Sequence, residues 1–210
     1  APLQAVSMSS EMLERKTSLD PAAQPYLLAI RNGTRHMGAM VNDLLEFVRS
    51  RLGTQLPVEP CAMNMAHACQ TALDQARAGH HGCEQSLQVN GNVEGHWDPR
   101  RLGQLLQNLI GNALQYGAPP VEIALAVERP GFVSLKVGDH GNGIPPEQRE
   151  RAFEAFAQID PARATRGSCG LGLAIVRRIV KASGGEVTLG EASGGGLEVE
   201  LRFPIAAASV

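Results

Sequence analysis

Asn108 and Asn112, one helical turn apart in QNLIGNALQYG (107–117), carry neutral amide oxygens of the kind that suit a hard cation. The spacing of Gln104, Asn108, Asn112 and Gln115 predicts one polar stripe along a helix. Such a stripe is either a solvated face or a ligand set for magnesium that keeps several waters and leans on substrate phosphates, and Asn112 is the better placed of the two asparagines. Asp139, in DHGNGIP (139–145), shares the parity of Val133, Leu135 and Val137 and therefore points inward at a strand's end, where a carboxylate needs a partner. Gly141 and Gly143 remove side chains just beyond it, so a flat ring can approach the backbone, and Ile144 offers an apolar surface. This combination suits the exocyclic amine of adenine, with a tight turn around a salt-bridged aspartate as the alternative. Gly167, Gly170 and Gly172 bracket a helix start, where free N–H groups and the helix dipole favour an anion such as phosphate; a plain loop-to-helix joint explains them too. Between Phe153 and Phe156 of FEAF and Arg166, the chain is poor in apolar residues and carries Arg163 and Arg166. It reads as a mobile lid with guanidinium groups available for phosphate oxygens.

Other chemistries are absent from the pattern. There is no G-x-x-x-x-G-K-[ST] phosphate loop and no G-x-G-x-x-G following a strand, so any nucleotide is held without a Walker lysine. A calcium loop would need further acidic positions after Asp139. His80, His81 and Cys83, with His67 and His96 nearby, lack C-x-x-C and H-x-x-x-H geometry, and a polar loop explains them better than zinc. Cys61, Cys69, Cys83 and Cys169 show no C-x-x-C spacing, which makes a reducing cytoplasm the default compartment. With 43% hydrophobic residues and a net charge of −2, the chain has ample core material and no basic excess to draw it onto nucleic acid or an acidic membrane. No apolar run approaches the roughly 20 residues that span a bilayer, and no signal peptide is visible.

The elements that must position these residues fall into two regions. Residues 22–51 read as one long helix with an apolar seam at Tyr26, Ile30, Gly33, Met37, Met40, Leu44 and Phe47. Residues 1–17 repeat the pattern more weakly through Leu3, Val6, Ser10 and Leu13, and Ser18–Pro21 supplies turn residues, so an antiparallel helical hairpin is expected. Folding back from that turn leaves Leu44, Leu45, Phe47 and Val48 without a partner in this chain, an expectation of either a preceding segment or a second copy. After a linker over 53–60, a helix is expected over Ala62–Ala78 and short strands around Ser86–Val89 and Val93–His96. Asp98-Pro99 then caps a helix with a core stripe of Leu102, Leu105, Leu106, Leu109 and Ala113. Strands alternate at Val121–Val127, Val133–Val137 and Leu197–Phe203; a helix over Leu171–Ala182 ends at Gly184-Gly185, and Gly194–Gly196 forms a hairpin turn. The expected class is α+β: a two-layer α/β sandwich, a mixed sheet with helices on one face (61–210), preceded by the antiparallel hairpin (1–52).

Taken together, the boxes resemble the catalytic ATP-binding domain of sensor histidine kinases, within the wider superfamily that includes gyrase, Hsp90 and MutL. The resemblance covers four ordered motifs between residues 107 and 176. It implies that Asn112 ligates magnesium with Asn108 as its neighbour in the asparagine box, that Asp139 reads adenine, and that Gly141 and Gly143 form the first glycine box with Ile144 beside them. Phe153 and Phe156 would form the phenylalanine box, Gly170-Leu171-Gly172-Leu173 the second glycine box, and Tyr116 would pack against adenine. ATP and Mg2+ are the implied cofactors. The hairpin resembles the dimerisation and phosphotransfer domain of the same kinases, which implies a homodimer and a response regulator receiver domain as partners. Ala1-Pro2-Leu3 resembles the tail of the box that carries the accepting histidine, which would then lie upstream, in a protein whose membrane anchoring is set elsewhere. Gln115 stands where a basic residue commonly touches phosphate, and Cys169 replaces a small or hydroxylated residue.

Two rival readings follow from the same boxes. ATP-hydrolysing relatives of the gyrase and Hsp90 kind place a glutamate one turn before the magnesium asparagine to activate water, and this chain has Asn108 there, whose neutral amide is no general base. A non-catalytic dimerising scaffold would bind no nucleotide.

Overall fold

The computed structural model describes residues 2–16, 23–51, 56–79, 83–157, 159 and 170–205, in two compact units, Ala1–Thr54 and Gln55–Val210. The expected turn at Ser18–Pro21 and the His80-His81 loop lie outside the described residues.

In the first unit, α1 (Pro2–Lys16) packs against α2 (Gln24–Arg51). Among the described side chains, the buried positions of α2 are Leu27 and Thr34, seven residues apart, and Ser10 is buried on α1. The Thr34 hydroxyl donates to the Ile30 carbonyl at 2.7 Å, so it enters the interface already satisfied. This differs from the seam read in the sequence: Tyr26, Ile30, Met37 and Leu44 are exposed and are joined by exposed Val41 and Val48. The reason is that α2 carries two stripes at helical spacing. The one with less bulk admits α1, leaving the bulky one outward.

The second unit runs β1 (Cys61–Asn64), α3 (Met65–Gly79), β2 (Gln85–Asn90), β3 (Glu94–Trp97), α4 (Pro99–Tyr116), β4 (Val121–Arg129), β5 (Phe132–Gly138), α5 (Gly172–Ala182), β6 (Glu186–Glu191) and β7 (Leu197–Pro204), with 3-10 turns at Pro146–Gln148 and Arg151–Phe153. Five strands form one mixed sheet in the order β2-β4-β5-β7-β6, while β1 and β3 make a separate two-stranded ribbon. Only β2 and β4 run parallel; the other neighbours are antiparallel. Helices α3, α4 and α5 cover one face, burying Val121, Ile123, Leu125, Val133, Leu135, Val137, Val199, Leu201 and Phe203. The intervening residues face outward as a charged ladder, in which Lys136 Nζ lies 3.5 Å from Glu198 Oε1 and Arg202 Nη2 lies 3.0 Å from Glu200 Oε1. Pairs this exposed contribute about 0–1 kcal/mol each and serve mainly to keep the open face wet.

Helix α4 forms as its sequence dictates. Asp98 Oδ1 accepts from the N–H groups of Arg100 (2.9 Å) and Arg101 (3.1 Å), Pro99 opens the first turn, and Asp98 Oδ2 accepts from the Glu59 N–H at 3.0 Å. The expected stripe from Leu102 to Ala113 is buried, with Arg101 and Ile110 added. Two elements depart from expectation. Residues 61–64 pair antiparallel with β3 as a strand, and the helix expected from Ala62 begins at Met65, where Asn64 Oδ1 accepts from the Ala66 N–H at 2.9 Å. Strand β6, a segment the sequence left unassigned, pairs with β7 along its whole length, on the other side of the turn expected at Gly194–Gly196.

The Gln85 side chain is buried at the start of β2, and among the described residues neither Nε2 nor Oε1 finds a hydrogen-bond partner. Gln85→Met keeps the shape and removes the unpaired groups, so thermal unfolding should show a gain of about 1–2 kcal/mol. A lower melting temperature would contradict that assignment. Cys69, buried on α3, has its thiol pushed up to about 12 by loss of solvation, whereas Cys61 is exposed. At pH 8 a thiol reagent should modify Cys61 at once and reach Cys69 only on unfolding; equal rates would refute the burial.

Candidate functional site

The expected residues fall into three groups, along α4, just beyond its end and before α5. In the first, Asn108 and Asn112 face the start of α5. A Cβ built on Gly172 would lie 3.1 Å from Asn108 Oδ1 and 3.3 Å from Asn112 Nδ2, so glycine there holds open the space between the two helices. Asn108 Nδ2 donates to the Gln104 carbonyl at 3.0 Å, which turns the amide oxygen toward Gly172. Gln115 is exposed, so the four-residue polar stripe divides, with Asn108 and Asn112 inward and Gln115 outward. Leu171, the residue before α5, is buried and provides no side-chain cap, so among the described residues no side chain caps the first N–H groups of that helix. Leu173 is half-buried.

In the second group, Asp139 is 6% exposed and its Oδ1 accepts from the N–H groups of Gly141 (2.8 Å) and Leu197 (3.3 Å). Its own N–H donates to the Leu197 carbonyl at 3.0 Å. Oδ2 receives no further hydrogen bond among the described residues. Glycines wall this carboxylate: a Cβ on Gly117 would fall 2.5 Å from Asp139 Cγ, and one on Gly141 would fall 2.8 Å from Gly117 Cα. Gly143 (φ 65°) packs on the Gly196 carbonyl and Gly196 (φ 92°) on the Asp139 carbonyl, two left-handed positions that a side chain would strain as well as fill. Tyr116, half-buried, ends α4 just before Gly117, and Ile144 is half-buried with its carbonyl accepting from Arg149 Nε at 3.1 Å.

In the third group, the Phe156 N–H donates to the Gly170 carbonyl at 2.9 Å, and both residues have left-handed backbone (φ 65° and 63°). This closes the two described stems of the expected lid. Phe156 is 54% exposed, whereas Phe153 is buried under the Arg177 guanidinium, 5.0 Å from its ring centroid, and Arg177 also pairs with Glu150 at 2.9 Å. Arg163, Arg166, Gly167 and Cys169 lie outside the described residues. Sequence reasoning missed Gly117, Gly196 and the Leu197 backbone. The signals available were the glycine that ends QNLIGNALQYG and the run 194–196, which read as a turn; the Leu197 backbone had none.

A mixed sheet covered on one face, with an asparagine pair on α4, a carboxylate after β5 and a helix beyond, defines an ATPase-type fold. The chain belongs to the histidine kinase-, DNA gyrase B- and HSP90-like ATPase family, which residues 97–207 match, and residues 1–53 match the His Kinase A (phospho-acceptor) domain. The two matches in this order are those of a two-component sensor histidine kinase core. Among its relatives, the signal transduction histidine-protein kinase AfsQ2 of Streptomyces coelicolor is 32% identical over 97% of the chain, and the sensor histidine kinase CpxA of Escherichia coli 30% identical over 97%. The chain spans 39% and 44% of those proteins. The crystal structure of full-length ShkA in complex with AMPPNP resembles it with a TM-score of 0.74 at 32% identity, over 100% of this chain and 44% of that one. The histidine kinase AdeS of Acinetobacter baumannii, at 21% identity over 97% of this chain and 95% of that one and a TM-score of 0.65, shares the fold.

Proposed function

We propose that the chain binds Mg-ATP in its second unit and donates the γ-phosphate to a histidine presented on a helix, for relay to a response regulator receiver domain on the cytoplasmic side. The observation that carries this is the placement of Asn108 and Asn112 against Gly172 at the start of α5. Asp139 takes the exocyclic amine of adenine, with Tyr116 and Ile144 as apolar walls, and Gly141 and Gly143 leave room for the ring. The N–H groups of Gly170-Leu171-Gly172-Leu173 receive phosphate oxygens, and Arg163 and Arg166 add positive charge. Phe156, tied to Gly170, anchors the stem of that loop.

The donor set fits magnesium. No cluster of three His, Cys, Asp or Glu side chains occurs among the described residues, and two amide oxygens beside phosphate leave the coordination to water and substrate, as magnesium prefers. Asn112 and Asn108 would hold it, and it would neutralise charge on the phosphates. Histidine is its own nucleophile, so the chain needs no general base at Asn108, which favours transfer over hydrolysis. The test is titration calorimetry with ATP, with and without Mg2+. No heat at millimolar nucleotide would sink the proposal. With γ-labelled ATP, none of His36, His67, His80, His81, His96 and His140 should become labelled, and a supplied acceptor helix should.

The homodimer would form through the outward stripe of α2. Val41 and Val48 sit on it, and no helix among the described residues is long and apolar enough to cross a membrane and bury such a stripe there. Val41→Glu should move the chain toward monomer by at least about tenfold in dissociation constant, an effect of roughly 1.4 kcal/mol. Light scattering that finds the same mass for both across a concentration series would refute it.

A further inference from the structure

Asp139 and the next residue leave β5 on opposite sides of the sheet, Asp139 toward the helices and His140 toward the open face. There the His140 Nε2–H donates to Glu122 Oε2 of β4 at 3.3 Å. The ring also lies against Gly194 in the β6–β7 turn, where a Cβ would come 2.5 Å from its Cε1 and Nδ1. The His140 N–H donates to the Ala118 carbonyl just past α4 at 2.9 Å. The dipeptide is thus stapled from below by β4 and the turn, and from above by Leu197, whose N–H and carbonyl both engage Asp139.

We propose that His140, held by Glu122 and seated on Gly194, is a positioning residue that sets purine selectivity through Asp139. This rests on the reading of Asp139 as the adenine contact. A fixed carboxylate rewards a 6-amino group, which donates to it, and repels a 6-oxo group, which presents a second acceptor. A carboxylate free to shift loses that penalty by turning aside or admitting a water between the two oxygens. Loosening the segment therefore reduces discrimination more than it reduces binding of the disfavoured purine. The glycine at 194 has a second reason to be glycine beyond the turn itself: its own φ is not left-handed, so what it provides is room for the imidazole.

The test is the ratio of Mg-ATP to Mg-ITP affinity, measured by calorimetry on the whole chain. His140→Ala should lower the ratio about fivefold, the size of one typical net hydrogen bond, since Glu122 is partly exposed to water, with ITP affinity held within about twofold. Glu122→Gln keeps an acceptor for the ring and should keep the ratio. Gly194→Ala drives a methyl into the ring and should lower the ratio, and this effect should vanish in a His140→Ala background. Should His140→Ala fail to fold, Gly194→Ala alone decides. An unchanged ratio in both variants, or equal loss for ATP and ITP, overturns the proposal as a purely structural contact. A ratio that survives Asp139→Ala removes the adenine reading itself, and the positioning role with it.

Discussion

Asp139→Ala is expected to lower the affinity for Mg-ATP by about 10- to 100-fold, because a hydrogen bond to a charged group is worth about 1.5–3 kcal/mol. A neutral contact would give about tenfold at most. The carboxylate is buried, and its Oδ1 is already engaged by the N–H groups of Gly141 and Leu197, which leaves Oδ2 as the atom for a ligand amine. The alanine variant also strips those two N–H donors of their acceptor, so it should lose stability by about 1–3 kcal/mol. Asp139→Asn separates the two effects. An asparagine that keeps its carbonyl oxygen toward Gly141 and Leu197 preserves the fold and turns its NH2 toward the base, where it meets the adenine amine as a second donor. That variant should melt near the wild type, lose ATP affinity about as far as the alanine variant, and bind ITP better than ATP. Calorimetry with both nucleotides checks this; ATP affinity within threefold of wild type in Asp139→Ala would remove adenine recognition from this residue.

The parts of the fold that were legible are those in which one residue's type answers to one local rule. Helix α4 declares itself through Asp98-Pro99 and five apolar residues at helical spacing, and all five are buried. Strands β5 and β7 show alternation over seven and eight residues. Strand β6 offers only Val187 and Leu189 on its inner side, too few for the period to appear, and it exists because β7 supplies a full antiparallel partner. Strand β1 is four residues long and owes its state to β3. On α2 two stripes compete, and which one meets α1 depends on how closely the helices can approach, a property of the pair.

The site divides along the same line. Asp139 was legible because parity placed it inward, and Gly172 because a glycine at a helix start is conspicuous. The support of Asp139 was not: the Leu197 N–H lies 58 residues away and carries no side-chain signature, and the Glu122–His140 pair spans 18 residues and two strands. Backbone donors and cross-sheet partners are set by register, and register is fixed by the whole sheet.

Gly172→Val should lower Mg-ATP affinity about 100-fold and erase the difference between ATP with and without Mg2+. At this position φ is not left-handed, so the effect of a side chain is spatial. A methyl alone meets Asn108 Oδ1 at 3.1 Å and the Asn112 amide at 3.3–3.4 Å, a crowding that neighbours absorb by moving a few tenths of an ångström. Gly172→Ala should therefore cost about tenfold, as a modest overpacking penalty would. Two further methyl groups cannot be absorbed without turning both amides, and misplacement of reacting groups by about 1 Å costs about 10²-fold in rate, so phosphoryl transfer should fall further than affinity does. Adenosine, which has no phosphate to place, should bind the variant within about twofold of wild type, since on the proposed reading Asp139 and its glycine walls would hold the base. Gly103, on the same α4 as the two asparagines, has open space where its Cβ would be, and Gly103→Ala should leave binding unchanged while adding up to about 1 kcal/mol of stability. Full Mg-ATP affinity in Gly172→Val would mean that the phosphates and the metal lie somewhere other than between α4 and α5.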